Sequence, residues 1–209
     1  MRALIFTILL LFATGCGAGQ TQDLSNRVPP VTATPTVATT TDGDMTVSDC
    51  KICKFDYASY KGDLKKEEID GLLLALNDEY MAWATYDRVN KDFNNPRPFS
   101  NIQRAEETHA DRLKVLFKTY GVPIPENPWV GQTPKFNSVA EACKAGVDAE
   151  IANRDLYTKL FKSTAREDIL VVYRALQRAS DENHLPAFQR CGGGVGGGGP
   201  RGRGNGRFN

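Results

Sequence analysis

Both histidines of this sequence follow an acidic residue by three positions, as Glu106 with His109 and as Asp181 with His184. Residues three apart lie on one face of an α-helix, so each pair can offer a carboxylate and an imidazole to the same ion. With 25 acidic residues among 209, this double coincidence has a chance of about 1 in 70. The spacing therefore predicts two matched ligand pairs.

Two further glutamates lie at positions where a helical protein should bury apolar side chains. Glu79 has Leu76 and Trp83 at helical spacing, and Glu150 follows Val147 by one turn. An unpaired buried carboxylate is costly, so each glutamate needs a cation, a metal ion or a proton. Three Glu, one Asp and two His form the ligand list of a carboxylate-bridged di-iron or di-manganese site, because hard oxygen donors with one imidazole per metal suit these divalent ions.

Four stretches with helical periodicity are placed to carry these residues. Ser100, Ser138 and Thr164 each precede a Gln or Glu by three residues, which is the capping-box pattern, Asp63 is a candidate N-cap, and Gly121 marks a helix end. No β-hairpin signal interrupts the stretches. We therefore predict an all-α fold, a four-helix bundle, with helices near 64–91, 101–120, 139–162 and 165–190.

The connections predict how the helices are arranged. The link at 163–164 is minimal, which makes helices 3 and 4 antiparallel neighbours, whereas 121–137 holds about 17 residues and four prolines and reaches roughly 50 Å. The longer segment can run back along a helix of about 30 Å, so we expect a long crossover between parallel helices 2 and 3. At about 1.5 Å per residue, the crossover brings all the candidate ligands into one layer.

These motifs resemble those of ferritin-like proteins related to rubrerythrins, and most of all a bacterial group known as a domain of unknown function. The resemblance covers about 64–190 and rests on LNDEYMAWATYDRV, EETHADRL, VDAEIANRDLY and SDENHLPAF. It implies a ferritin-like, left-handed bundle of two helical hairpins around a buried site for two iron ions, or manganese. It also implies an oxidoreductase that oxidises Fe(II) or reduces oxygen or peroxide.

In this interpretation each candidate ligand has a role. Glu106 and Glu150 bridge the metals, Glu79 and Asp181 bind terminally, and His109 and His184 each ligate one metal.

The chain departs from the family pattern in two ways. Asp181 stands where Glu is usual, which shortens its reach by one methylene, and the second CxxC of the rubredoxin iron centre in true rubrerythrins is absent from the sequence. The second departure leaves the electron donor unknown. Gln177, one turn before Asp181, is open to two interpretations, a second-shell partner of a ligand or an amide at the edge of the core.

A metal-free interpretation also fits these residues. Arg154 follows Glu150 by four positions and Asn183 adjoins His184, so the polar positions would be structural links in a bundle that has lost its metal. The protein would then be a scaffold or binding module displayed at the cell surface.

The first residues indicate an export signal. Arg2, an apolar run over 3–13 that is too short to span a bilayer, and Ala-Thr-Gly-Cys at 13–16 resemble the lipobox of bacterial lipoproteins, in which Cys16 is lipidated. We therefore expect a lipoprotein signal peptide at 1–15 and export to the bacterial cell envelope. The partner there is a membrane, reached through the N-terminal lipid.

Composition divides the remaining chain and limits its partners. The expected segments are a disordered Thr/Pro-rich tether at 16–49, a Cys-x-x-Cys entry segment at 50–63, the bundle at 64–191 and a disordered Gly/Arg-rich tail at 192–209. A net charge of +1 and three arginines in the tail give weak attraction to phosphate, so no specific nucleic acid partner is expected. Two histidines and five cysteines exclude a zinc-finger array. A homodimer is one candidate for the oligomeric state.

Four cysteines remain once Cys16 is assigned to the lipid, in a compartment that permits disulfides. In the crossover topology Cys143 and Cys191 fall at the same end of the bundle, so we expect them to pair. Cys50 and Cys53 then pair with each other or serve as a redox or metal pair.

Overall fold

The computed structural model describes residues 49–192. Over this range the protein has helices and no strand, which confirms the prediction of an all-α fold. The predicted signal peptide, Cys16, nearly all of the predicted tether and the glycine-rich segment after 192 lie outside the described residues. The elements are α1 (Lys66–Asp92), α2 (Phe99–Thr119), α3 (Val139–Leu160), α4 (Glu167–Ala179), a π-helical turn (Ser180–His184) and α5 (Leu185–Gly192).

Hydrogen bonds define where the helices begin, and the sequence predicted some of them. Ser138 caps α3, because its hydroxyl accepts the N–H of Glu141 at 3.1 Å. Thr164 has another role, since α4 begins at Glu167 and the Thr164 hydroxyl donates to Glu68 at 2.7 Å. Glu68 also accepts the backbone N–H of Lys65, which fixes the start of α1 two residues after the predicted one.

The helices pack as two groups that meet in the middle of the protein. The first group is α1 against α2, and the second is α3 against α4, the π-helical turn and α5. The groups touch through α1 with α3 and through α2 with α4. Each helix therefore contributes one face to a shared interior, as its apolar periodicity requires.

The interior contains two apolar clusters separated by a polar layer. The first includes Leu76, Leu113, Tyr157 and Tyr173, and the second includes Tyr86, Phe99, Cys143 and Phe188. On each helix the predicted ligands lie between residues of these two clusters. Burial of the apolar clusters thus fixes the helices on both sides of the polar layer.

The predicted fourth helix is interrupted at the π-helical turn. The sequence pattern indicated one helix over 165–190, whereas the structure has α4, the turn and α5 in succession. A π-helical turn carries an inserted residue and changes which side chains share a face. This interruption decides the position of Asp181.

Two disulfides hold the segments around the bundle. One joins Cys50 to Cys53 before α1, and the other joins Cys143 at the start of α3 to Cys191 in α5. None of the described helices is long and apolar enough to cross a membrane.

Candidate metal centre

Five ionisable side chains meet in the polar layer between the apolar clusters. All are at most 6% exposed. Every helical group contributes to the set, which consists of Glu79 from α1, Glu106 and His109 from α2, Glu150 from α3 and His184 from the π-helical turn. They form two overlapping groups, Glu79–Glu106–His109 and Glu106–Glu150–His184, each able to hold a metal ion.

Glu106 is the residue that the two groups share. Its Oε2 lies 2.8 Å from Nδ1 of His109, and its Oε1 lies 3.1 Å from Nδ1 of His184. The two imidazole rings stack with centroids 5.5 Å apart. One carboxylate therefore faces a different histidine with each oxygen, which is the arrangement of a bridging ligand.

The two outer glutamates are held by tyrosines from the opposite helix. Tyr157 on α3 donates to Oε1 of Glu79 at 2.6 Å, and Tyr86 on α1 donates to Oε1 of Glu150 at 2.9 Å. The other oxygen of each glutamate faces a histidine, with Glu79 3.2 Å from His109 and Glu150 3.4 Å from His184. Each outer glutamate thus has one oxygen fixed by a phenol and one directed into the cluster.

The imidazole of His184 is an unsatisfied group within the cluster. Its Nδ1 is buried and makes no hydrogen bond, although oxygens of Glu106 and Glu150 lie 3.1 and 3.4 Å away. A buried polar atom without a partner is costly. A cation between the imidazole and the two carboxylates would remove that cost, so the donor set fits a divalent iron or manganese ion.

The cluster shifts the pKa of its members in opposite directions. Burial by itself would lower the pKa of His109, but hydrogen bonds and charges from Glu106 and Glu79 raise it to about 10. The carboxylates of Glu106 and Glu150, 3.1 and 3.4 Å from Nδ1, likewise outweigh burial and raise the pKa of His184 to about 10. Burial raises the pKa of Glu79, whereas the hydrogen bond with His109 and the nearby imidazole of His184 outweigh burial and lower the pKa of Glu106.

A further buried acid, Asp78, lies beside the cluster. Asp78 accepts a hydrogen bond from Nδ2 of Asn153 at 2.6 Å, and the Asn153 amide oxygen has no partner. Burial, followed by the charge of Glu79, raises the pKa of Asp78 to about 8. Asp78 was not predicted as a site residue, because Glu79, the next residue, lies on the predicted apolar face of the helix.

Asp181, the predicted fourth carboxylate ligand, does not join the cluster. Its side chain is 49% exposed and lies 3.9 Å from Arg154 on the surface. The physical reason is the π-helical turn, which places His184 and Ser180 in the interior, four residues apart, and turns Asp181 outward. Asp181 and His184 therefore do not share one helix face, although Glu106 and His109 have the same spacing and do.

Two other residues from the sequence analysis also lie away from the cluster. Gln177 donates to the carbonyl of Arg154 at 3.0 Å and to the hydroxyl of Thr158 at 2.9 Å, so it joins α4 to the edge of α3. Arg154 faces Asp155 and Asp181 rather than the buried Glu150. The proposed salt link between Arg154 and Glu150 is therefore not formed.

The hydrogen bonds that Tyr86 and Tyr157 donate to glutamates were not predicted from the sequence. A signal existed, because Glu79 precedes Tyr86 by seven residues and Glu150 precedes Tyr157 by seven. Seven residues make two helical turns, which places each pair on one helix face. Both tyrosines are buried, and their phenols would be unsatisfied without the carboxylates.

Fold and cluster together define a class, an all-α protein with a buried carboxylate and histidine cluster between two pairs of helices. No family model matches the chain. The uncharacterized protein MJ0754 of Methanocaldococcus jannaschii is 30% identical over 145 residues, which cover 62% of this chain and 77% of that protein. The crystal structure of the same protein, titled a hypothetical protein, matches with a TM-score of 0.56 at 26% identity, over 63% of this chain and 83% of that chain. This chain belongs to the family of MJ0754.

Proposed function

We propose that the protein is a ferritin-like di-iron or di-manganese protein that oxidises Fe(II) or reduces oxygen or peroxide at a carboxylate-bridged site. The observation that carries this proposal is the position of Glu106, whose two oxygens each face a different buried histidine. A purely structural ion pair needs one acid for one base. Three glutamates around two imidazoles, with one glutamate shared, match the needs of two adjacent cations.

The order of contacts between the helices supports a ferritin-like topology. Glu79 contacts Tyr157 and Tyr86 contacts Glu150, so positions that increase along α1 decrease along α3. These helices are therefore antiparallel. Because the short link 93–98 also makes α1 antiparallel to α2, α2 and α3 are parallel and the segment 120–138 serves as the crossover.

Some residues of the cluster would bind the metal ions, and others orient the ligands. Glu106 would bridge the two ions, Glu79 with His109 would hold one, and Glu150 with His184 would hold the other. Two bound ions would together supply two one-electron steps. Tyr157 and Tyr86 orient the outer carboxylates, and the apolar clusters on both sides exclude bulk water from the layer.

The location proposed for this activity is the bacterial cell envelope, with the protein anchored to a membrane through a lipid on Cys16. Support comes from the lipobox-like sequence at 13–16 and from the two disulfides, since disulfides persist in oxidising compartments.

A metal-free scaffold or surface binding module is the second candidate. The observation that favours it is that two protonated histidines already balance part of the glutamate charge, as the raised pKa of each imidazole indicates. In that case the protein would bind neither iron nor manganese, and supplying either metal would leave its thermal stability unchanged.

Stepwise loading tests the proposed activity. Metal-free protein is mixed with Fe(II) without oxygen, peroxide is added, and the absorption band of oxidised protein-bound iron is followed. We expect the band in the wild type and its loss in Glu106→Ala. A wild-type protein that shows no such band would contradict the proposal.

A further inference from the structure

The Cys50–Cys53 pair is a redox group close to the metal centre that the proposed function does not use. We propose that the reduced form of this pair is the internal electron donor of the centre, so that the protein acts as a dithiol peroxidase. This inference rests on the proposed function, because it needs metal ions bound at Glu106. It supplies a donor in a chain whose sequence has no second Cys-x-x-Cys.

The pair is fixed against the helix that carries Glu79. Cys50 Sγ lies 4.0 Å from the carbonyl oxygen of Leu73 on α1. Leu73 precedes Glu79 by six residues, a rise of about 9 Å along the helix. The point where Cys50 contacts α1 is therefore less than two helical turns from Glu79.

Lys51, one of the two residues between the cysteines, contacts α1 closer to the cluster. The backbone N–H of Lys51 donates to Oδ1 of Asn77 at 3.2 Å, and Asn77 precedes Glu79 by two residues. The ammonium of Lys51 lies over the ring of Trp129, 3.7 Å from its centroid, and donates to Gln132 at 3.0 Å. These contacts hold the Cys-x-x-Cys segment in place between α1 and the crossover.

The spacing of the cysteines suits a reversible redox role. Cys50 and Cys53 are three residues apart, so the two thiols stay together after reduction. Cys143 and Cys191 are 48 residues apart and join separate helices, which suits a structural bridge. Both Cys50 and Cys53 are 7% exposed, so dissolved peroxide reaches them more slowly than it reaches an exposed thiol.

The proposed reaction balances in atoms and electrons. Oxidation of the Cys50 and Cys53 thiols forms one S–S bond and releases two electrons and two protons. Hydrogen peroxide accepts both electrons and both protons, and its O–O bond breaks to give water. Metal ions held by Glu106 would supply the one-electron steps between the dithiol and peroxide. One dithiol and one peroxide thus give one disulfide and two water molecules. An external dithiol then reduces the disulfide by thiol–disulfide exchange.

Thiol trapping in the full chain tests this inference without relying on turnover. The protein is reduced with dithiothreitol, freed of reductant, and divided into an iron-loaded sample and a metal-free sample. After one equivalent of hydrogen peroxide, both are quenched at intervals with an alkylating reagent, and peptides containing Cys50–Cys53 and Cys143–Cys191 are quantified by mass spectrometry. Glu106→Ala mixed with the same iron controls for oxidation by unbound metal.

We expect the Cys50–Cys53 disulfide to form about ten-fold faster, or more, in the iron-loaded sample than in the metal-free sample or in Glu106→Ala. The rate at Cys143–Cys191 should not depend on iron. Equal rates at Cys50–Cys53 with and without bound iron would overturn the inference while leaving the proposed function standing. Iron analysis before peroxide is added identifies the separate failure, a wild-type chain that binds no iron, which would overturn both.

Discussion

The hydroxyl of Tyr157 donates a 2.6 Å hydrogen bond to Oε1 of Glu79, from α3 to α1. Both residues are buried, and the second oxygen of Glu79 faces His109. The phenol therefore selects which carboxylate oxygen is available to the cluster. Tyr86 has the same relationship to Glu150, so the two halves of the site are built alike.

Removal of the Tyr157 hydroxyl should weaken metal binding without unfolding the protein. Partners that orient a ligand typically contribute 10- to 100-fold in metal affinity, so we expect a loss of about that size in Tyr157→Phe, measured by competition with a chelator. Tyr173→Phe is the matched control, because Tyr173 packs 5.6 Å from Tyr157 and its buried hydroxyl has no hydrogen-bond partner. An equal loss of affinity in Tyr173→Phe would show that packing, not orientation of Glu79, is responsible.

The structure and the sequence spacing make different predictions about Asp181 as a metal ligand. We expect Asp181→Asn to bind as many ions as the wild type, because Asp181 lies on the surface. Glu150→Ala should lose one of the two ions, since Glu150 contacts only the His184 side of the cluster. Metal content per chain is measured in both variants. A loss of metal in Asp181→Asn would contradict the exposed position of this residue and would argue that it binds after a rearrangement of the π-helical turn.

The two disulfides should contribute unequally to stability. A disulfide stabilises a protein mainly by restricting the unfolded chain, and the entropic model gives about 2 kcal/mol for a closed loop as short as that of Cys50–Cys53 and about 4 kcal/mol for that of Cys143–Cys191. We therefore expect the Cys143→Ser, Cys191→Ser double variant to lose about twice as much free energy of unfolding as Cys50→Ser, Cys53→Ser. Urea denaturation without reductant measures both, and an equal cost would speak against the redox role of the shorter loop.

Acid should destabilise the contact between α1 and the start of α4. Burial alone would raise the pKa of Glu68, but hydrogen bonds from Lys65 and Thr164 and the guanidinium of Arg166 outweigh it and hold the pKa below its ordinary value of 4.5. Because the pKa is lower in the folded state, the stabilisation is present above pH 4.5 and is lost as the pH falls through the folded pKa.

Urea denaturation of metal-free protein from pH 6 to pH 3 checks this sign. The difference in unfolding free energy between the wild type and Glu68→Gln should shrink as the pH falls. Glu67→Gln, at an exposed neighbouring position, is the control for the loss of a negative charge from the first turn of α1. A constant difference for Glu68→Gln would contradict the assignment.

Periodicity and capping predicted the all-α fold and the approximate bounds of the first three helices. Ser138 illustrates why, since a cap acts within one turn and can be recognised locally. Thr164 shows the limit, because its hydroxyl binds Glu68, 96 residues earlier, and no local pattern contains that contact.

For the site too, residues on regular helices could be predicted from the sequence, whereas positions that depend on tertiary packing could not. Glu79, Glu106, His109 and Glu150 come together because each lies on the buried face of a regular helix, and His184 joins them from the π-helical turn. Asp181 does not, because a π-helical turn depends on tertiary packing and left no recognised signal in the sequence. The phenols of Tyr86 and Tyr157 act between α1 and α3, so their role became clear only from the distances across that interface.

Elemental analysis of protein produced without chelators tests the central claim most directly. The cluster predicts about two iron or manganese ions per chain in the wild type, and a large loss of metal in Glu106→Ala, because both ions would share that carboxylate. Wild-type protein that stays metal-free after iron or manganese is supplied, with unchanged thermal stability, would contradict the account.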